Sequence, residues 1–258
     1  MKVLVILGSP RKGESYSVMQ KVEAQMKALG EVEFDYLWLR DIKFRQCTGC
    51  HVCIQRSEQK CPFRSDVADI ETRMHAADGL IIVTPVYTQQ VSYLVKILFD
   101  RFAYIWHRPR FFGKFAMGIA AGGGQAGPAL NYIKENTHCW GYTYVTGISA
   151  QHPEALQPKM RAKLEHTIEK ASRKFYETVK KGEHPAPSLF DLIWFRMWRM
   201  NARAVADSAP VDLNYWTEKG WLTSDYFTNK PVGLLKHAFG QVMEGLLGRF
   251  MRSVYKGY

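Results

Sequence analysis

"VLVILGSPRKGESYS", residues 3–17, runs from a five-residue apolar stretch through a loop of glycine, hydroxyl and cationic residues into a segment with helical spacing. Val3–Leu7 has no polar alternation, the pattern of a strand buried on both faces. The loop then enters a helix over 15–29, so a strand, a tight turn and a helix N-terminus follow one another without a gap. Unpaired N–H groups at such a terminus carry partial positive charge and suit a phosphate. Gly8 and Gly13 permit the turn, Ser9, Ser15, Tyr16 and Ser17 offer hydroxyls, and Arg11 and Lys12 add charge. The spacing matches neither G-x-x-x-x-G-K-[ST] nor G-x-G-x-x-G.

The same alternation continues outward from this stretch. Strands are predicted over 32–39, 80–87, 115–121 and 142–149, and helices over 65–78, 90–106, 126–138 and 154–181. Five strands separated by helices predict a doubly wound α/β fold, a parallel sheet covered on both faces. Ligands of such sheets bind beyond the carboxyl ends of the strands where strand order reverses, between the first and third strands in the flavodoxin-like order. The loops after strands three and four are "TPVYTQQ" (84–90) and "AGGGQAG" (121–127). They are expected to reach that edge, with Pro85 and Tyr87 flanking a flat ligand and Gly122, Gly123 and Gly124 bordering it. "GEHPAPS" (182–188) then breaks the pattern, dividing residues 1–183 from a mainly helical C-terminal extension, 184–258.

Composition bounds the function. The 258 residues carry a formal net charge of +11, which attracts anions of many kinds. Without a recognised nucleic-acid motif beside that charge, nucleic-acid binding is not expected. The N-terminal apolar run is too short for an export signal, so a cytoplasmic, reducing setting is expected. In that setting "CTGCHVCIQRSEQKCP" (47–62) is informative, because four of the five cysteines, Cys47, Cys50, Cys53 and Cys61, fall within it. The overlapping spacing C-x2-C-x2-C-x7-C-P favours iron over zinc and is akin to the ferredoxin run that also ends in Cys-Pro. Unligated or redox-active thiols are the other reading. Between 40 and 64 six basic residues face two acidic ones, a field that favours thiolates or an anionic partner. Cys139, beside Trp140, reads as a buried filler.

"GSPRKGESYS", "CTGCHVC", "AADGLIIVTPVY" and "VKILFDRF", in this order, resemble the NADPH-dependent FMN reductase family and, within it, the iron-sulfur flavoproteins. The resemblance covers about residues 1–150. It implies a flavodoxin-like sheet of five strands and FMN as cofactor, its phosphate on the 9–17 loop and its ring against Pro85, Val86, Tyr87 and Thr88, with Gly122–Gly124 opposite. This chain has Ser15-Tyr16 where the family's loop usually carries Asn-Thr. The resemblance further implies a [4Fe-4S] cluster on Cys47, Cys50, Cys53 and Cys61. On that basis the expected activity is an FMN oxidoreductase. Electrons would come from NAD(P)H or a ferredoxin-like donor and pass to a small acceptor such as a quinone, in a homodimer or homotetramer. The alternatives are a flavodoxin-like electron carrier without a substrate of its own and a cluster-free NAD(P)H:FMN reductase. No catalytic side chain is nominated, because the chemistry belongs to the cofactor.

Two features stand outside that core. "DRFAYIWHRPRFFGK" (100–114) is either a docking patch for phosphates or an acidic partner, or an ordinary basic helix end. In the tail, Leu235, Phe239, Val242, Leu246 and Phe250 share one helical face with Arg249, Arg252 and Lys256 beside it. That face is expected to pack on a subunit or on the flavin domain, with a membrane surface as the less favoured partner.

Overall fold

The computed structural model describes residues 1–254. In chain order its elements are β1 (Lys2–Leu7), α1 (Glu14–Leu29), β2 (Glu33–Trp38), α2 (Val52–Gln55), α3 (Ser65–Ala76), β3 (Gly79–Pro85), α4 (Tyr93–Arg101) and α5 (Ala103–His107). They continue with β4 (Phe115–Gly122), α6 (Gly127–Cys139), β5 (Thr143–Gln151), α7 (Pro158–Lys181), α8 (Leu189–Ala204), α9 (Pro210–Glu218) and α10 (Leu234–Val254). The five strands form one sheet in the order β2-β1-β3-β4-β5, every pair parallel. The fold is flavodoxin-like.

The central strands are buried on both faces because helices cover both. Every residue of β3 is buried, whereas β2, at the sheet edge, buries only Leu37. Val18, Met19, Val22 and Met26 of α1 share a core with Leu164, Ile168, Ala171 and Phe175 of α7 and the apolar side chains of β1, β3 and β4. Helix α7 begins at Pro158, not at 154, since proline is tolerated in the first turn and disrupts a helix interior. Gly182, at φ 66°, ends it in the left-handed conformation. The single helix expected over 90–106 is two, α4 and α5.

The chain divides into two compact units. One comprises Met1–Thr48, Ser65–Ala103 and Pro109–Glu183, and holds the whole sheet. The other comprises Gly49–Arg64, Tyr104–Arg108 and the segment from His184 onward. This second unit therefore joins most of the cysteine segment to the C-terminal extension. Its helix α8 starts in a capping box, with the Ser188 hydroxyl accepting from Asp191 N–H and the Asp191 carboxylate from Ser188 N–H. Its core is aromatic: Phe195 stacks on Trp216 at 5.5 Å, and Trp221 and Phe227 meet edge to face at 4.8 Å.

Candidate functional site

Strand order reverses between β1 and β3, and the loops after both strands are tied together there. Gly8 N–H extends the β1–β3 ladder by donating to Val83 O at 2.8 Å. The Ser92 hydroxyl donates to Gly8 O at 2.7 Å and caps α4 by accepting from Val95 N–H. Ser92 N–H in turn donates to Thr84 Oγ1 at 2.9 Å. A Cβ on Gly8 would stand 2.2 Å from Val95 Cγ2, so only glycine lets these segments meet.

Beyond Gly8 the loop closes on itself and then opens into α1. Ser9 is buried, and its hydroxyl donates to Arg11 O at 2.6 Å. Gly13 is the N-cap of α1 and supplies no capping side chain. The first intrahelical bond is Ser17 N–H to Gly13 O, so the N–H groups ahead of Ser17 have no partner within the helix. Ser15 is buried in this turn, Tyr16 and Ser17 are half-buried, and Arg11 and Lys12 are exposed. The Lys12 ammonium lies 5.7 Å from the Tyr16 ring centre. A further cation joins them: Arg40 stacks on Trp38 at 4.2 Å and donates to Pro10 O at 3.0 Å. The result is a helix N-terminus without a side-chain cap, flanked by Arg11, Lys12 and Arg40, which is suited to a phosphate.

The segment after β3 forms the neighbouring wall. Tyr87 and Gln90 exchange both backbone hydrogen bonds, at 3.1 and 3.0 Å, across a two-residue turn. Its central residues, Thr88 and Gln89, have φ of 51° and 62°. A β-branched residue rarely adopts that conformation, and such strain concentrates at binding sites. Pro85 and Val86 are buried while Tyr87 and Thr88 are exposed. Val86 N–H donates to Ala121 O at 2.9 Å, which brings the loop after β4 alongside. A Cβ on Gly122 would lie 3.0 Å from Val86 O, and one on Gly124 would lie 3.6 Å from Val86 Cγ1. Gly123 supports the His152 imidazole, 2.8 Å from where its Cβ would be. His152 itself has φ 38° and donates its N–H to Gly122 O at 3.2 Å. The three loops thus meet at one carboxyl edge, and close approach to neighbouring atoms favours glycine at Gly8 and Gly122.

This convergence is what a doubly wound sheet uses to hold a phosphorylated planar cofactor. The model of the NADPH-dependent FMN reductase family matches residues 1–147, more than half of the chain. The chain belongs to that family. As an FMN reductase family member it is a flavin oxidoreductase. It is 27% identical over 232 residues to an iron-sulfur flavoprotein of Archaeoglobus fulgidus, spanning 86% of this chain and 100% of that relative. An iron-sulfur flavoprotein of Methanocaldococcus jannaschii is 35% identical over 131 residues, 48% of this chain and 66% of that one. Among solved structures, an oxidoreductase from Corynebacterium diphtheriae matches with a TM-score of 0.52 at 18% identity, over 70% of this chain and 98% of that one. That last likeness is one of fold.

The cysteine segment of this FMN reductase family member is held at several points. Cys47 and Cys50 are exposed, Cys53 and Cys61 are half-buried, and none is in a disulfide. Among the described residues no three Cys, His, Asp or Glu side chains stand together as a metal-holding group. The donor set is still all thiol, the kind that iron-sulfur clusters take. Ahead of Cys47, Arg45 donates from its backbone N–H to Asp66 at 2.9 Å and from Nε at 3.2 Å, while its carbonyl accepts from buried Arg101 at 2.8 Å. The Arg45 side-chain hydrogen bonds hold the Asp66 carboxyl below the usual carboxylate range. A depressed carboxylate stabilises the fold above its unfolded pKa, and this tie weakens as pH falls through the folded value. Within the second unit, buried Arg108 pairs with Asp212 and donates to Cys53 O and, at 3.2 Å, to Glu58.

The basic run 100–114 is therefore used internally. Arg101 pairs with Asp66, Arg108 with Asp212 and Glu58, and Arg110 with Glu71 at 2.7 Å, while the Lys114 ammonium donates to the carbonyls of His75 and Ala77. His107 sits against Trp198 with Nδ1 2.8 Å from Asp212, a structural setting. Burial pushes the Cys139 thiol up to about 12, which suits a filler. Ser92, Arg40 and His152 were not singled out for this edge from the sequence. Arg40 had a signal, since it lies just past the end of the strand that neighbours β1.

Proposed function

We propose that this chain binds FMN across the carboxyl edge of β1, β3 and β4 and uses it to pass electrons from NAD(P)H to a small acceptor such as a quinone. The meeting of three loops at the point of strand reversal carries the proposal, and family membership supports it. FMN, when bound, supplies the redox chemistry, accepting two electrons and releasing them singly or in pairs. The N–H groups at the start of α1 would bind the phosphate, with Ser9, Ser15, Tyr16 and Ser17 beside them and Arg11 and Lys12 balancing its charge. Pro85, Val86, Tyr87 and Thr88 would fix one side of the ring and Gly122, Gly123 and Gly124 its border. The Thr88 and Gln89 peptides take no part in the two hydrogen bonds that close their turn, and can address a ring edge.

Cys47, Cys50, Cys53 and Cys61 are proposed as the ligands of a [4Fe-4S] cluster, which would exchange single electrons and admit a ferredoxin-like donor. Their spacing, their all-thiol chemistry and the iron-sulfur flavoproteins of similar sequence support this. The cluster-free reductase is the second reading, favoured by the lack of a gathered ligand group among the described residues.

Anaerobic purification separates the two readings. About four irons per flavin are expected for a [4Fe-4S] holder, together with bleaching of the flavin by NADPH. A yellow protein without iron would select the second reading, and a chain that takes up no FMN would defeat both. The phosphate assignment has its own check. Replacing Arg11 and Lys12 together by alanine should weaken FMN binding about tenfold to a hundredfold, since each charge contributes about 1 kcal/mol. Riboflavin, which lacks the phosphate, should bind both proteins equally in a fluorescence-quenching titration. An equal loss for both ligands would remove the phosphate from this loop.

A further inference from the structure

Helix α10 presents an apolar stripe that is exposed among the described residues. Leu235, Phe239, Val242, Leu246 and Phe250 are 89%, 43%, 61%, 52% and 59% exposed. At ~100° per residue they fall within an arc of about 80°, a single stripe along the helix. The opposite side is the packed one. Glu244 points there and pairs with Arg196 at 2.8 Å and with Arg199, both on α8. A Cβ on Gly240 would stand 2.7 Å from Arg196 Nε, so α10 is seated closely on that helix. The Lys236 ammonium donates to Pro187 O at 2.9 Å. This ties the exposed Leu234 and Leu235 end of α10 to the start of α8, where Phe190 is 64% exposed.

The charges are as ordered as the apolar residues. From 228 to 258 the sequence holds Lys230, Lys236, Arg249, Arg252 and Lys256 against one acid, Glu244. Helical spacing puts Arg249 on one margin of the stripe and Lys236 on the other. The only acid is turned inward and neutralised by two arginines.

This pattern discriminates between occupants. A second copy packed stripe to stripe would bring together two basic segments whose one acid from 228 to 258 is already paired within its own chain, so the contact gains no interhelical ion pair. A negatively charged plane meets both margins at once. No described helix is long and apolar enough to cross a membrane, so the stripe fits the surface of a bilayer and not its interior.

We propose that α10 lies in the headgroup region of an anionic lipid bilayer, with the Leu235–Phe250 stripe in the acyl boundary and its basic margins on lipid phosphates. The site is independent of the flavin edge and of the cysteines, so it stands or falls without them.

Flotation of the purified full chain with vesicles tests it. Vesicles of phosphatidylglycerol mixed with phosphatidylcholine should carry the protein, vesicles of phosphatidylcholine alone should carry at least about tenfold less, and high salt should release it. The paired change Leu235→Glu and Leu246→Glu should reduce flotation about tenfold or more while flavin content stays that of the unaltered chain. Arg249→Glu, which leaves the stripe intact, should reduce it by a smaller factor and serves if the paired variant folds poorly. Failure to float with the anionic vesicles overturns the proposal, as does equal flotation with both kinds. Sedimentation showing a dimer that the paired change dissociates, with no vesicle binding, would assign the stripe to self-association instead.

Discussion

Gly8→Ala is expected to destabilise the flavin unit by about 1–3 kcal/mol and Gly8→Val by more, each with loss of FMN binding. The added Cβ would stand 2.2 Å from Val95 Cγ2, 3.0 Å from Ser92 Oγ and 3.2 Å from Val83 O. None of the three can yield cheaply. Val95 is wholly buried on α4, Ser92 is engaged with Gly8 O and with the start of that helix, and Val83 O belongs to the β1–β3 ladder. Relief would require moving α4 outward, which opens the junction between the loops after β1 and β3. Urea unfolding measures the stability change, and FMN fluorescence quenching measures the site. Gly127→Ala is the control, because a Cβ there meets nothing within 4 Å. If Gly8→Ala bound FMN as the unaltered chain does, the tie between the two loops would not shape the site.

Ser92→Ala probes the same junction without steric pressure. It removes an N-cap and a buried hydrogen bond to Gly8 O, for an expected loss of about 1–2 kcal/mol. Flavin affinity should fall less than in the glycine variants, because the carbonyl freed at Gly8 still faces a junction of unchanged packing. The ordering of the two positions, and not their absolute values, tests whether close approach or hydrogen bonding dominates at this edge.

How much of this was legible depends on whether the cause is local. The five strands were readable because a parallel sheet covered on both faces requires short, continuous apolar runs, and Val3–Leu7 and Leu80–Val83 are such runs. The three loops at the carboxyl edge followed from strand order alone. Thr88 and Gln89 gave no warning of their positive φ, since neither is glycine or asparagine and the turn is imposed by the Tyr87–Gln90 pair. Ser92 and His152 matter through partners that are distant in sequence, Gly8 and Gly122–Gly123, which no window of sequence contains. The basic run 100–114 was ambiguous for the same reason. Its partners Asp66, Glu71 and Asp212 are 35 to 104 residues away, and only the fold turns a cationic stretch into internal ties. The Pro-rich break at 182–188 signalled that the chain changes character. That Gly49–Arg64 and Tyr104–Arg108 belong with the segment after it is a nonlocal fact of the same kind.

That grouping has the largest expected consequence for the cysteines. Asp212→Ala should cost about 3 kcal/mol, because it takes the closer of two carboxylates from the buried Arg108 guanidinium and leaves Glu58 as the other. Arg108 and Asp212 are each 1% exposed, so neither charge can be rescued by water. Arg108 also donates to the carbonyl of Cys53 and to Glu58, and Asp212 also meets His107 at 2.8 Å. One buried pair therefore fastens the cysteine segment to α9. When the pair is broken, the Cys53–Cys61 stretch should loosen together with the unit, and alkylation of these two thiols should accelerate well below the melting temperature. Mass spectrometry after a timed iodoacetamide pulse resolves them from Cys47 and Cys50, which are already exposed. Replacing both charges, Arg108→Met with Asp212→Leu, should recover much of the thermal stability, as apolar substitution of a buried pair often does. It should not restore protection of Cys53, because methionine cannot donate to that carbonyl. Stability regained while the thiols still react fast would separate the energetic role of the pair from its hold on the segment. Thiols as slow in Asp212→Ala as in the unaltered chain would mean that Arg108 does not restrain them.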